Sequence, residues 1–295
     1  MFKIFPALLM GLVAMIASAS WSSESTVASG QQGLIISSGG EGGGYWSAAQ
    51  RFQAVAKGLG TDVENRASAG SLENLAQLIS AESPVNLAFA QADAVQYFLF
   101  DNPGAGESFD VLENIGQECV FIVTAADSNV RTDADLQKAA NYRLGIPGPT
   151  SGVAVTFNYM LRQVPELKAL EVVYGDTGAA LAQLQTPEAG VDAVMVVHRP
   201  REHSPTVDLA LRHRERYRFL EIQDQRLTKT PASGQEVYQK MDLAMPGPEE
   251  GTRQTVNTIC VKGLLLANRH KLTQEQLNLL SDVVNTHWMQ VFATE

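Results

Sequence analysis

An α/β fold of two lobes, each built on a mostly parallel sheet and joined by two crossover strands, is what the sequence predicts. Three observations predict it. Short apolar runs alternate with helix-length segments in two successive series, the pattern of βαβ units. A Pro/Gly stretch, NPGAGES at 102–108, separates the two series. An amphipathic helix closes the chain too far along to extend the second series simply, so the economical path returns it to the first.

The elements follow in order. Lys3, the apolar run 5–17 and Ala17-Ser18-Ala19 have the layout of an export signal at 1–19. That run is shorter than the roughly 20 residues a membrane-spanning helix needs. A Ser- and Gln-rich leader at 20–33 lacks periodicity and reads as disordered. LIIS (34–37) is a buried strand, followed by a glycine cluster and a helix over 45–57; TDVENR (61–66) is a second strand. Ser71 is placed to cap a helix with Leu72, Leu75, Leu78 and Ile79 on one face. VNLAFA (85–90) is a third strand and 92–100 a third helix.

In the second series ECVFIVTA, RLGIP, LEVVYG, VDAVMVV and YRFLEI are strand candidates, with helices at 151–163, 177–185 and 205–213. After MPGPEEG (245–251) a long strand over 256–267 leads to the last helix. There Thr273 and Gln276 form a capping box, and Leu277, Leu280, Val284, Trp288 and Val291 form an apolar stripe. The expected division is 34–117 plus 255–295 for lobe one and 118–254 for lobe two.

About 275 residues after the signal suffice for two ordinary domains. The formal charge of −10 argues against nucleic acid and anionic membrane surfaces as partners. No later segment approaches transmembrane length either, so a soluble periplasmic monomer is expected. Cys119 and Cys260 are the two cysteines. One disulfide between them and two separate buried thiols both remain open.

The glycine cluster SSGGEGGGYW (37–46) stands between a strand and a helix. Glycines allow close backbone approach, and the first helical turn has N–H groups with no internal partner. Such a turn offers donors and a positive dipole end to a carboxylate or phosphate. It lacks the Lys-Ser/Thr of a nucleotide loop and the last glycine of G-x-G-x-x-G. The plain alternative is a tight turn with no ligand. SAGSLEN (68–74) and GIPGPTSGVA (145–154) repeat the arrangement, and all three fall beyond the carboxyl ends of strands, where open parallel sheets bind ligands. Gly43, Gly44, Tyr45, Ser71, Thr150, Ser151 and Gly152 are therefore candidate contacts. Glu41, within the cluster, would repel an anion, and so points outward or meets an ammonium group.

The ordered segments resemble those of the TAXI family of TRAP-transporter solute-binding proteins. The resemblance rests on Gly43-Gly44-Tyr45-Trp46, on Gly70-Ser71-Leu72-Glu73-Asn74-Leu75, and on Ala88-Phe89-Ala90-Gln91-Ala92-Asp93. The 145–152 turn and the 191–197 strand are similar to the family's second-lobe segments, and the likeness covers most of 34–292. It implies a type II periplasmic-binding (Venus flytrap) fold, no cofactor and no chemistry. It also implies a small carboxylate ligand of amino acid or dicarboxylate class and hand-over to a TRAP-type membrane permease. Gln91 is a candidate contact chiefly through this match. The sequence departs from the family at His198-Arg199-Pro200-Arg201 and in its extra glycine at 42–44, so ligand identity is not carried over.

Arg66, which ends a strand, and Arg199, which follows one, could grip a carboxylate in bidentate fashion; a solvated loop arginine is the commoner fate of either. His198 could touch ligand or only line a loop. No catalytic or metal motif stands among the five scattered histidines, so no catalytic or metal-ligating residue is nominated. A sensor subunit for a signalling partner and a periplasmic enzyme on small organic acids are the rival readings.

Overall fold

A computed structural model of the protein describes residues 33–186, 190–200, 202–230, 236–247, 249 and 251–293. The expected export signal and all of the leader except Gly33 lie outside them.

β1 (Leu34–Gly39) is buried along its whole length. This explains its unalternating LIISSG, since a strand covered on both faces needs no polar side. α1 (Gly44–Gly58), β2 (Val63–Ala67), α2 (Ser71–Ile79), β3 (Leu87–Gln91) and α3 (Ala92–Asp101) follow. β1 pairs in parallel with β2 on one edge and β3 on the other.

A second parallel trio has β5 (Arg143–Ile146) between β6 (Glu171–Tyr174) and β7 (Ala193–His198). α4 (Asp133–Leu136) precedes it, α5 (Gly152–Gln163) and α6 (Thr177–Gln183) connect its strands, and α7 (Pro205–Arg212) follows.

Two long strands run antiparallel between the trios. β4 (Asp110–Ala125) has 16 residues, and β10 (Arg253–Ala267) has 15. At about 3.3 Å per residue each reaches about 50 Å, enough to traverse both halves. β4 pairs with β10 from Asp110 to Cys119, then with β7 as far as Thr124. β10 pairs first with β9 (Tyr238–Pro246) and then with β3. The short β8 (Tyr217–Phe219) pairs with β4. The result is one curled mixed sheet, ordered β2-β1-β3-β10-β4-β7-β5-β6, with β8 and β9 beside it. The expected lobe limits at 117/118 and 254/255 both fall inside the two traversing strands.

Each half buries apolar side chains on both faces of its part of the sheet. Phe52, Phe89, Leu265 and Phe292 lie on one face of the first half, with Leu75, Leu78 and Val95 on the other. In the second half Ile122, Phe157 and Met160 oppose Phe121, Leu181 and Val207. The C-terminal stripe docks as its amphipathicity requires: α8 (Gln274–Thr286) and α9 (Trp288–Val291) pack on α1. The capping box forms, with Thr273 Oγ1 accepting from Gln276 N and Gln276 Oε1 accepting from Thr273 N. The helix is not continuous, however; His287 interrupts it.

Three further differences from expectation have local causes. The cap of α2 is Gly70, not Ser71, because Gly70 takes φ 136° while Ser71 turns its hydroxyl to accept from Gln91 N. β9 lies where the sequence predicts no strand, since QKMDLAM carries charges and alternates between half-buried and exposed positions; its pairing with β10 makes it a strand. β4 starts eight residues before the expected strand, because polar DVLENIGQ is only partly buried. Cys119 and Cys260 stand opposite each other in the β4–β10 pairing and form a disulfide, which resolves the choice left open above.

Candidate functional site

The carboxyl ends of β1 and β3 and the N-terminal turns of α1, α2 and α5 face a cavity of about 280 Å³. β4 contributes Glu118 to its wall, and the end of β7 contributes Val197 and His198. Arg199 and Glu202 follow from the next loop.

The sequence builds this convergence through specific tethers. Asn74 is fully buried and ties α2 to both neighbouring strands: its Nδ2 donates to Ser38 O (3.1 Å) and Phe89 O (2.8 Å). Its Oδ1 accepts from Ser37 Oγ at 2.6 Å and Ser68 Oγ at 2.5 Å. Glu73 accepts from Ala69 N at 2.8 Å. The Glu-Asn pair of the Gly70–Leu75 segment therefore aims the helix, leaving its first amides free of side-chain caps. Across the cleft, Ser151 caps α5 by accepting from Ala154 N at 3.2 Å.

Two glycines make the close approach possible. A Cβ on Gly152 would lie 2.6 Å from Gln91 Oε1, and one on Gly70 would lie 3.2 Å from Thr150 O. The halves thus meet across the cleft at their helix starts.

Of the residues predicted from sequence, Gly43, Gly44, Tyr45, Ser71, Gln91, Ser151, Gly152 and Arg199 line this cavity. Arg66 does not: its guanidinium pairs with Glu64 at 2.5 Å on the outer edge of β2. Thr150 is exposed and presents only its carbonyl oxygen toward Gly70. Glu41 is exposed and outside the lining. His198 lines the cavity, with Nδ1 engaged by Arg199 O at 2.8 Å. Sequence reasoning missed Glu118 and Glu202. A carboxylate at the head of an apolar strand, directly before Cys119, was the available signal for the first; Glu202 gave none, because a loop's path decides where it points.

The polar groups are tightly coupled. Arg199 is 7 % exposed, and its Nη1 donates to Glu202 Oε1 at 3.2 Å. Gln91 Nε2 donates to Glu118 Oε2 at 3.0 Å. Burial pushes the Glu118 carboxyl up to about 7, against the opposing pull of the Arg199 guanidinium. Burial, and then the Glu118 carboxylate, raise the Tyr45 phenol well above its ordinary value, while its ring packs on Phe89 at 5.5 Å. Gln91 Oε1 and Arg199 Nη2 are buried without a hydrogen-bond partner, and buried Tyr45 Oη has only the Glu118 carboxyl beside it. Atoms left so are costly, and these three lie on side chains that line one small space. Among the described residues no group of three His, Cys, Asp or Glu could hold a metal ion, and no helix is long and apolar enough to cross a membrane.

The chain matches no protein-family model and no curated protein. Its architecture is nevertheless shared with solved structures. A TctC solute-binding protein from Polaromonas, solved without ligand, is 16% identical over 88% of this chain and 85% of its own, with a TM-score of 0.51. A Xanthomonas citri protein bound to chloride ion is 10% identical over 88% of each chain, with a TM-score of 0.52. The fold is the Venus flytrap of type II periplasmic binding proteins. The VFT2 domain of BvgS from Bordetella pertussis is a weaker match, 11% identical over 89% of this chain and 92% of its own, with a TM-score of 0.45. At these identities the likeness concerns fold, so function rests on the cavity.

Proposed function

We propose that this protein is an extracytoplasmic solute receptor that captures a small carboxylate between its two halves and delivers it to a TRAP-type membrane permease. One observation carries the capture step: three helix N-termini and Arg199, whose Nη2 is buried without a partner, line one cavity of about 280 Å³. Exposed main-chain amides at helix starts, with a buried guanidinium, suit an anion. The volume suits a molecule of amino-acid or short dicarboxylate size. The TAXI-like segments at 43–46, 70–75 and 88–93 support the permease as the recipient. Contacts come from both halves, so bound solute favours the closed arrangement by its difference in affinity between states.

Thermal-shift screening of the protein against small organic acids, amino acids and short dicarboxylates tests this reading. A bound acid raises the melting temperature with concentration, and mass spectrometry of the recovered compound returns it unchanged. Gly152→Val, whose side chain would displace Gln91, abolishes the shift while the protein remains folded by circular dichroism. A panel without a single stabilising acid would sink the receptor reading, and conversion of the acid would favour an enzyme.

A further inference from the structure

Two groups of the cavity, Glu118 and the Gln91 carbonyl, oppose the anion that Arg199 and the helix starts suit. Glu118 Oε2 accepts from Gln91 Nε2 at 3.0 Å. The other pole of that amide, Gln91 Oε1, is left buried and unpartnered beside Gly152. A solute oxygen drawn to Arg199 and the helix starts then shares a small space with an opposing oxygen. An amide can exchange its oxygen and nitrogen by turning over, and its orientation follows the partner's proton. An ionised Glu118 can only accept and takes the NH2 group; a protonated Glu118 donates and takes the carbonyl.

Resting on the receptor reading above, we propose that capture of an anionic solute takes up one proton at Glu118. The Gln91 amide turns over with it and presents its NH2 to the cavity. The proton comes from solvent, ends on a Glu118 carboxyl oxygen and is donated in a hydrogen bond to Gln91 Oε1. No covalent bond of the solute changes.

The balance of groups around Glu118 makes this outcome accessible. Burial opposes its ionised form most; Arg199 and a hydrogen bond from Tyr45 support that form, and Asp93 from α3 and Glu202 from the loop after β7 oppose it. An anion seated on Arg199 weakens that support. The Tyr45 hydroxyl from α1 lies beside the carboxyl, and His198 from β7 is turned to Arg199 O. The β10 residue opposite Glu118 is apolar Val261. The starts of α2 and α5 bring Ala69, Gly70, Ser71, Ser151, Gly152 and Val153 to the lining, none of them charged.

Two measurements decide the matter. The first needs no solute: stability against pH for wild type and Glu118→Gln, by urea unfolding. The carboxyl is raised from 4.5 to about 7 by folding. The stability it contributes is therefore complete below about pH 4.5 and is lost as pH rises through about 7. The difference between the two curves must change across that window, and a constant difference overturns the proposal. In the second, L-glutamate, 2-oxoglutarate, succinate and any other acid that shifts the melting temperature are titrated calorimetrically at about pH 8, in buffers of differing ionisation enthalpy. Wild type takes up close to one proton, and its affinity falls by up to about tenfold per pH unit above about 7. Glu118→Gln loses both the uptake and the slope, whatever its affinity. Zero uptake, proton release or an unchanged slope in the variant overturns proton linkage and leaves the receptor standing. Failure of every acid to bind overturns the receptor reading, and this proposal with it.

Discussion

Arg199 shows what one side chain does in a small cavity. It is 7 % exposed, paired through Nη1 with Glu202 and unpartnered at Nη2. Replacing it by methionine keeps most of the volume and removes the charge. Affinity for the acid found in the screen should fall by about 100-fold, within the range for truncating one partner of a buried charge pair. Arg199→Lys should not restore it, because an ammonium lacks the planar fork; calorimetric titration checks both. Asp93 is a second such residue, fully buried on α3 and hydrogen-bonded by Thr156 of α5 (2.7 Å) and Tyr238 of β9 (2.8 Å). Burial raises its carboxyl and those two hydrogen bonds lower it. Tyr238→Phe should cost about 1.5–3 kcal/mol at pH values where Asp93 is ionised, as expected for a hydrogen bond to a buried charge. Because Tyr238 stabilises the ionised form, that deficit should shrink as pH falls through the Asp93 pKa. Urea midpoints against pH read it out.

At the scale of elements, α2 is held at both ends. Asn74 fixes its start against β1 and β3. At its far end Lys271 Nζ donates to Ser80 O (2.7 Å), Ser83 O (2.9 Å) and Val85 O (2.9 Å). An ammonium there also complements the negative end of the helix dipole. Lys271→Met should lower stability by about 1–3 kcal/mol and loosen the loop 80–86, seen as faster amide exchange there. The elements themselves were largely legible. α5, α6, α7 and α8 lie where their apolar spacing places them, and Thr273 and Gln276 marked the start of α8. β9 and the first half of β4 were illegible because their polar, half-exposed residues become strand only by pairing with β10.

At the scale of the molecule, β4 and β10 join the two halves, and Cys119–Cys260 staples them where the pairing partners change from β3 and β10 to β7 and β9. The bridge closes a sequence separation of 141 residues. By chain entropy it is worth up to about 5 kcal/mol. Reduction, or the Cys119→Ser/Cys260→Ser pair, should lower the melting temperature by about 5–15 °C, measured by calorimetry with and without reductant. Glu118 adjoins this staple, so acid binding by the reduced protein should weaken as well. An unchanged affinity would show that the disulfide serves folding alone.

The sequence by itself determined the α/β class, the two series of strands and helices, the returning C-terminal helix and the three glycine-rich helix starts. Each of these depends on local periodicity, capping or backbone freedom, which neighbouring residues encode. Only the tertiary structure decided that Cys119 meets Cys260 and that Glu118 and Glu202 stand beside Arg199. It also decided that Arg66 and Thr150 face elsewhere. Those outcomes depend on register between strands far apart in the chain and on the paths of loops. A one-residue change in either redirects a side chain without altering any local pattern.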